Sequence, residues 1–439
     1  MTQSSHVPDV AVLGAGAAGL SAARVLAESG CSVLILEARD RIGGRILTIG
    51  DPALQFPIEL GAEFIHGRAP ATLELLQRSG ARTVDTAGSR WTVRDGRASP
   101  RDAVFGAALE LMRQVDSMSE ADLSVEDFLA RHASDRAMEA ACSHVRMMVE
   151  GFDAADPRRA SVRAIAREWS GMDGGQSRPE NGYGALAAQL ARSLDEAGGF
   201  LKLQTAVESV DWAGNDVRIS ASTPAGPFQA VARRALVTFP VGVLQLPPGV
   251  PGAVRFAPPL EEKADALGGV APGHVVKVVL RFRRAFWDEA QDRRFQQAGF
   301  LHSPQSVFRT VWTSLPARVP LLTAWTGGPR AQRLQGAKPS EVVDSALESV
   351  QSIFGVGPAV RDELAASYVH DWQQDPYSRG AYSYVTVGGG GAPEALARPL
   401  RNLLFFAGEA ASAADLGTVE AALESGRSAA RKILASLRD

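Results

Sequence analysis

The sequence predicts an α/β fold whose first unit is a Rossmann-like strand, glycine turn and helix. Three observations carry that expectation. A short apolar run at Val10–Leu13 leads directly into Gly14-Ala15-Gly16-Ala17-Ala18-Gly19, a spacing that turns a strand into a helix. Behind it Leu20, Ala23 and Ala27 recur on one helical face, and a second apolar run at 32–36 ends in the acidic Glu37, completing a βαβ pattern. Further on, strand-like runs at 275–280, 321–325 and 403–406 are interleaved with helical patterns at 342–354 and 419–430, the mixture of an α/β chain.

Each part of the opening unit has a physical reason. Gly14 permits the tight turn, Gly16 lets backbone approach a pyrophosphate, and Gly19 lets helix and strand pack closely. Ala17 and Ala18 open the helix, whose N-terminal amides face an anion. Glu37 stands where a carboxylate accepts from ribose hydroxyls and repels a 2′-phosphate, so a dinucleotide such as NAD or FAD is expected and NADP is not.

Composition narrows the remaining classes. The 439 residues carry 46 Lys+Arg against 49 Asp+Glu, a net charge of −3, which offers no footprint for nucleic acid or an anionic membrane. Two cysteines, Cys31 and Cys142, have neither metal-ligand nor redox spacing, and a reducing, cytoplasmic setting is expected. The polar start at residues 1–9 is unlike a secretory leader, and no apolar run of about twenty residues suggests a membrane span. At roughly 150 residues per domain the length suits two or three domains. The sequence carries no signal for oligomeric state.

The stretch Glu37-Ala38-Arg39-Asp40-Arg41-Ile42-Gly43-Gly44-Arg45 resembles the extended FAD signature of flavin-containing amine oxidases. Leu60-Gly61-Ala62-Glu63-Phe64-Ile65-His66-Gly67, Thr205-Ala206-Val207, Lys277, Trp372 to Tyr384, and Phe406-Ala407-Gly408-Glu409 through Gly417-Thr418-Val419 follow in the family's order. Arg379 to Tyr384 and Gly417-Thr418-Val419 look most similar to the polyamine oxidase and lysine-specific histone demethylase branch. The resemblance implies FAD, with Arg39 and Arg45 as cations near the pyrophosphate, where guanidinium suits phosphate oxygens. It implies that Val207 meets the adenine through backbone, that Glu409 accepts from a ribityl hydroxyl, and that Gly408 and Val419 border the flavin. The helix opened by Thr418 and Val419 would stabilise negative charge at the flavin's pyrimidine edge. Ala381 stands where monoamine oxidases attach their flavin through cysteine, so non-covalent FAD is expected.

The same resemblance names the catalytic candidates. Lys277 lies in a valine-rich run and, on residues alone, reads first as a lysine snorkelling along its own stem. The family likeness makes it the lysine that holds a water at the flavin N5. Tyr382 becomes one wall of an aromatic cage for the amine, with Trp372 and Tyr377 beside the cofactor, although aromatics there also read as core packing. The opposing wall falls on Thr418, which opens the site. His66 is expected to line it, or to be a hydrogen-bonded structural histidine.

The family layout implies a Rossmann-like FAD domain of the GR2 type from residues 1–71, 201–260 and 378–439. A discontinuous α+β substrate domain would take 72–200, helical across 110–190, and 261–377. The expected reaction is hydride transfer from the α-carbon of a small amine to flavin N5, giving an imine, with O2 returning the flavin and yielding hydrogen peroxide. Without a basic excess, a free amine is favoured over a histone tail. An L-amino acid oxidase or dehydrogenase, using Arg68 or an arginine of the helical insertion for the carboxylate, and a quiet FAD-binding scaffold are the alternatives.

Overall fold

The computed structural model describes residues 7–100, 102–117, 121–171, 175–412 and 414–438; the polar start before Val7 and the terminal Asp439 lie outside them. Val10–Leu13 forms the centre of a five-stranded parallel sheet, paired in register with Val33–Leu36 on one side and Arg234–Val237 on the other. Phe200–Lys202 and Leu404–Phe406 are its edges. Every residue of Val10–Leu13 is buried, as both covered faces of a parallel sheet require.

Helix Ala17–Glu28 covers one face together with Gly184–Glu196 and the C-terminal Val419–Ser436. The two terminal helices approach closely because Gly426 has no side chain: a Cβ there would lie 2.3 Å from the Ala18 carbonyl oxygen. The opposite face packs on an antiparallel ribbon of Ala206–Asp211, Val217–Thr223 and Gly226–Ala232, extended by Arg255–Ala257.

A second sheet has seven strands, in the order Leu364–His370, Val275–Phe282, Leu321–Gly327, Thr310–Thr313, Ala298–His302, Ser89–Arg94 and Arg97–Pro100. Its alternation is decisive. Val276, Val278 and Leu280 bury into the core formed with helix Pro339–Phe354, and Val275, Lys277 and Val279 take the other face. Residues 110–190 contain the helices Val125–Ala130, Glu139–Gly151 and Val162–Ser170, clustered around Val145, Ile165 and Trp169. The segment is not wholly helical, since Gln176–Pro179 is a strand between Ile65–His66 and Thr83–Asp85. Ser89–Arg94 and Arg97–Pro100, upstream, also join the large sheet. Among the described residues no helix is long and apolar enough to cross a membrane.

Candidate active site

One cavity of about 1210 Å³ runs from the glycine turn to the inner face of the seven-stranded sheet, larger than the roughly 300–1,000 Å³ usual for small-molecule pockets. All the residues expected to serve catalysis or the cofactor line it except Gly19. Gly19 sits one layer back, where a Cβ would be 2.0 Å from the Gly14 carbonyl oxygen, so its part is packing.

The first end is made largely of backbone. Gly14 has φ +111°, and a Cβ on it would meet the Thr238 hydroxyl at 2.6 Å. Gly16 bridges Gly43, and Gly44, at φ +60°, would place a Cβ 3.3 Å from the Gly16 Cα. Two glycine segments thus abut in a groove without side chains. No side chain caps helix Ala17–Glu28, so its first amides are open to an anion. Leu36, Ala38, Thr205 and Val207 continue the groove.

The charged residues of this end line the cavity and also have partners within the protein. Glu37 accepts from the Ala15 amide (2.8 Å) and the Arg39 amide (3.0 Å), so its carboxylate first braces the turn. Arg39 donates to Asp375 at 2.6 Å and Ser378 at 2.8 Å and lies 5.5 Å over the Tyr377 ring. It therefore ties the turn to the 371–384 loop. Burial pushes the Asp375 carboxyl up, but hydrogen bonds from His370 and Arg39 outweigh this and hold it well below the usual carboxylate range. Arg45 Nη1 donates to the Ala381 carbonyl and, at 2.9 Å, to Glu409. Glu409 in turn accepts from the Ser383 hydroxyl at 2.6 Å. A buried carboxylate and a partly buried cation thus pair in one wall of the cavity, which both residues line.

At the other end Lys277 is 2% exposed. Its Nζ is 2.7 Å from Glu63 Oε2 and donates to the Gly61 carbonyl at 3.2 Å. It does not snorkel. Glu63 Oε1 accepts from Arg178 Nε and Trp312 Nε1, both at 2.9 Å. Burial pushes Glu63 up, but Lys277 and Arg178 prevail and keep its carboxyl below the ordinary value. Glu63, expected as a cofactor contact, is thus the counter-ion of Lys277. Nearby Glu59, pushed up to about 7 by burial despite Lys277, accepts from the Tyr183 amide and Thr48 hydroxyl.

Strand register builds the rest of this wall. Lys277 is opposite Trp325, Trp325 opposite Thr310, and Trp312 opposite Phe300, so these side chains share one face. Phe64 meets Trp312 at 5.5 Å and Phe300 at 5.8 Å, and Trp312 meets Trp325 at 5.9 Å. Phe300, Trp312, Trp325 and Arg178 were not identified from the sequence. The rings had a signal in their alternate positions along short strands, whereas Arg178 had none.

Tyr382 packs its ring beside Gly417, where a Cβ would approach to 3.3 Å, and donates its hydroxyl to the Phe152 carbonyl. Trp372 is buried, its Nε1 donating to the Leu60 carbonyl at 2.9 Å. Thr418 lines the cavity with its hydroxyl engaged in the helix cap. Its hydroxyl donates to the Asp415 carbonyl at 2.6 Å and accepts from the Ala421 amide at 3.0 Å, because the N-cap of helix Val419–Ser436 needs an acceptor. His66 faces the cavity between Phe64 and Phe152. Its ring is accessible through the cavity, whose walls lower its imidazole below the ordinary value by desolvation.

Two carboxyls missed as a pair also line the cavity. Burial and neighbouring Glu168 raise Asp153 well above its ordinary value, while burial, then Asp415, pushes Glu168 up to about 7. Trp169 Nε1 donates to Asp153 at 3.2 Å. Arg68 is exposed and outside the lining, whereas Arg90 is within it.

The side-chain-free cradle, uncapped helix start and long apolar continuation fit an extended dinucleotide with a flat ring system. An α/β fold that holds such a cradle at one end of a single large cavity is that of a dinucleotide-binding protein. The chain belongs to the family of flavin-containing amine oxidoreductases, whose model matches residues 17–434, and FAD is its cofactor. It is 29% identical to lysine-specific histone demethylase 1 homolog 3 of Arabidopsis thaliana over 98% of this chain, but spans only 30% of that protein. Polyamine oxidase 2 of the same plant is 28% identical, with 96% of this chain and 87% of the relative covered. Among solved structures, putrescine oxidase bound to putrescine superposes with TM-score 0.80 at 20% identity, covering 98% of this chain and 99% of that one. Cyclohexylamine oxidase from Brevibacterium oxydans IH-35A gives 0.79 at 22%, covering 99% and 100%. At these identities the likeness shows the shared fold.

Proposed function

We propose that the chain is an FAD-dependent oxidase of a small amine. The observation that carries this reading is that Lys277, Tyr382 and an aromatic wall open on the same cavity as the glycine cradle. Bound FAD supplies a two-electron acceptor that takes a hydride from the α-carbon of the amine, leaving an imine, and passes the electrons to O2 as hydrogen peroxide. The protein's own work is orientation and exclusion of water. Rings of Phe64, Phe300, Trp312 and Trp325 line a dry wall for the amine, and Tyr382 holds the opposite approach. Glu168, raised to about 7, gives the cavity a carboxylate that favours a cationic substrate as pH rises through that value.

The five-stranded parallel sheet supports a GR2-type Rossmann-like FAD domain drawn from 1–71, 201–260 and 378–439, with the substrate domain drawn from 72–200 and 261–377. Ala381 and the position of both free cysteines outside the cavity lining support non-covalent FAD. A reducing cytoplasm as location is part of the same proposal.

A second reading, oxidation of an α-amino acid, is favoured by one observation. Arg90 lines the cavity beside the Phe300 ring, at 5.6 Å, without a carboxylate in ion-pair reach among the described residues, and a substrate carboxylate would suit it. Peroxide formation from a panel of monoamines, diamines, polyamines and L-amino acids separates the two. Turnover of amines only supports the first reading, and turnover of amino acids only replaces it with the second.

A further inference from the structure

We infer that Glu63, braced from behind by Arg178, is the positioning residue that fixes the Lys277 ammonium at the inner wall of the cavity. The inference rests on the reading of Lys277 as the lysine that serves the flavin.

Four parts of the chain converge on one carboxylate. Glu63 follows strand Leu54–Glu59, Arg178 lies in Gln176–Pro179, Lys277 in Val275–Phe282 and Trp312 in Thr310–Thr313. The two oxygens divide the work. Oε2 takes Lys277 at 2.7 Å, while Oε1 takes Arg178 and Trp312 at 2.9 Å each. With both oxygens engaged the carboxylate has no freedom to rotate. Arg178 is itself pinned by donation to the Thr313 and Leu315 carbonyls at 3.2 and 3.1 Å, and it lies 4.7 Å over the Phe64 ring. Lys277 and Glu63 line the cavity, and Arg178 stands behind the wall.

A lysine has a flexible four-carbon stem and a compact charge. Here its other acceptor among the described residues is the Gly61 carbonyl at 3.2 Å, a neutral group. Without Glu63, two cations would share a dry wall with Glu59 as the nearest remaining carboxyl, already committed to Thr48 and the Tyr183 amide. Stranding a buried charge in this way is strongly unfavourable, so the lysine would move or lose its proton. Glu63→Gln keeps the shape and removes the charge, and it should therefore reproduce the loss of Lys277.

The test compares FAD-loaded wild type, Lys277→Met, Glu63→Gln and the double variant in stopped-flow flavin reduction and reoxidation, and in melting temperature. Glu63→Gln is expected to slow the same half-reaction as Lys277→Met, by roughly ten- to hundredfold, with the double variant no slower than Lys277→Met. Its melting temperature should fall and be partly restored in the double variant, where one stranded cation, Arg178, remains in place of two. Slow Lys277→Met with Glu63→Gln at the wild-type rate, or effects that multiply in the double variant, overturns the positioning role alone. Lys277→Met at the wild-type rate overturns that role together with the reading of Lys277 on which it rests. Should Glu63→Gln not fold, Trp312→Phe removes one of the two braces on Oε1 and is expected to slow that half-reaction too; a wild-type rate there overturns the inference.

Discussion

The two ends of the cavity are built from different materials. At the cradle, glycines remove side chains, and what remains is backbone held by packing: Gly14, Gly16, Gly43 and Gly44 lie within one short stretch of chain. At the inner wall of the large sheet, buried charges and rings from residues 63, 178, 277 and 312 meet across long sequence distances. The first end leaves no room for a Cβ at Gly14, Gly19 or Gly61. The second tolerates no unbalanced charge. A cradle of this kind binds by shape and amide dipoles, whereas a wall of this kind governs what happens to charge beside the bound ring.

Breaking the cradle should have the largest effect. Gly19→Ala puts a Cβ 2.0 Å from the Gly14 carbonyl oxygen, and Gly61→Ala puts one 1.9 Å from that of Arg45. In each case backbone must shift, at a cost of roughly 1–3 kcal/mol or more. The expected result is purified protein without yellow colour or with a strongly lowered melting temperature. Retention of stoichiometric FAD in both variants would show that the turn is looser than its geometry implies.

At the other end Lys277→Met should leave FAD bound and slow one flavin half-reaction by roughly ten- to hundredfold. That contrast, cofactor kept but chemistry lost, sharpens the division between the two ends. FAD loss from Lys277→Met would erase it.

The acidic side of the cavity makes a smaller, pH-dependent prediction. Glu168 is raised to about 7, so it becomes protonated as pH falls through that value and loses its attraction for a cationic amine. KM for such an amine should rise below about pH 7, and Glu168→Gln should have a raised KM that no longer follows this step. The folding contribution has the same sign of protonation: because the folded value lies above the unfolded one, the native state binds the extra proton, and Glu168 lowers stability as pH rises from 4.5 to about 7.

The smallest effect belongs to Thr418. As an N-cap its replacement by alanine should cost about 0.5–2 kcal/mol, read as a modest drop in melting temperature. No drop would mean that the cap is dispensable.

The contrast between the two ends also explains what could be read in advance. The glycine turn, Glu37 after the second strand and the helix face of Ala422, Leu423, Gly426 and Ala430 are local patterns, and the structure builds them as strand, turn and buried helix face. The task of Glu63 was hidden because its partners are 115 to 249 residues away. The strands Ser89–Arg94 and Arg97–Pro100 were overlooked for a similar reason: they are polar, largely exposed and stabilised by pairing at the edge of a distant sheet. The capping duty of Thr418 had a local signal too, since a threonine ahead of a helical pattern supplies the acceptor that a helix start needs.

The most direct test of amine oxidation in this cavity is anaerobic mixing of the FAD-loaded protein with monoamines, polyamines and L-amino acids while the flavin absorbance is followed. Bleaching by an amine class is the expected result. Bound, releasable FAD that no amine bleaches would contradict the account and favour a flavoprotein that works on something else or serves as a scaffold.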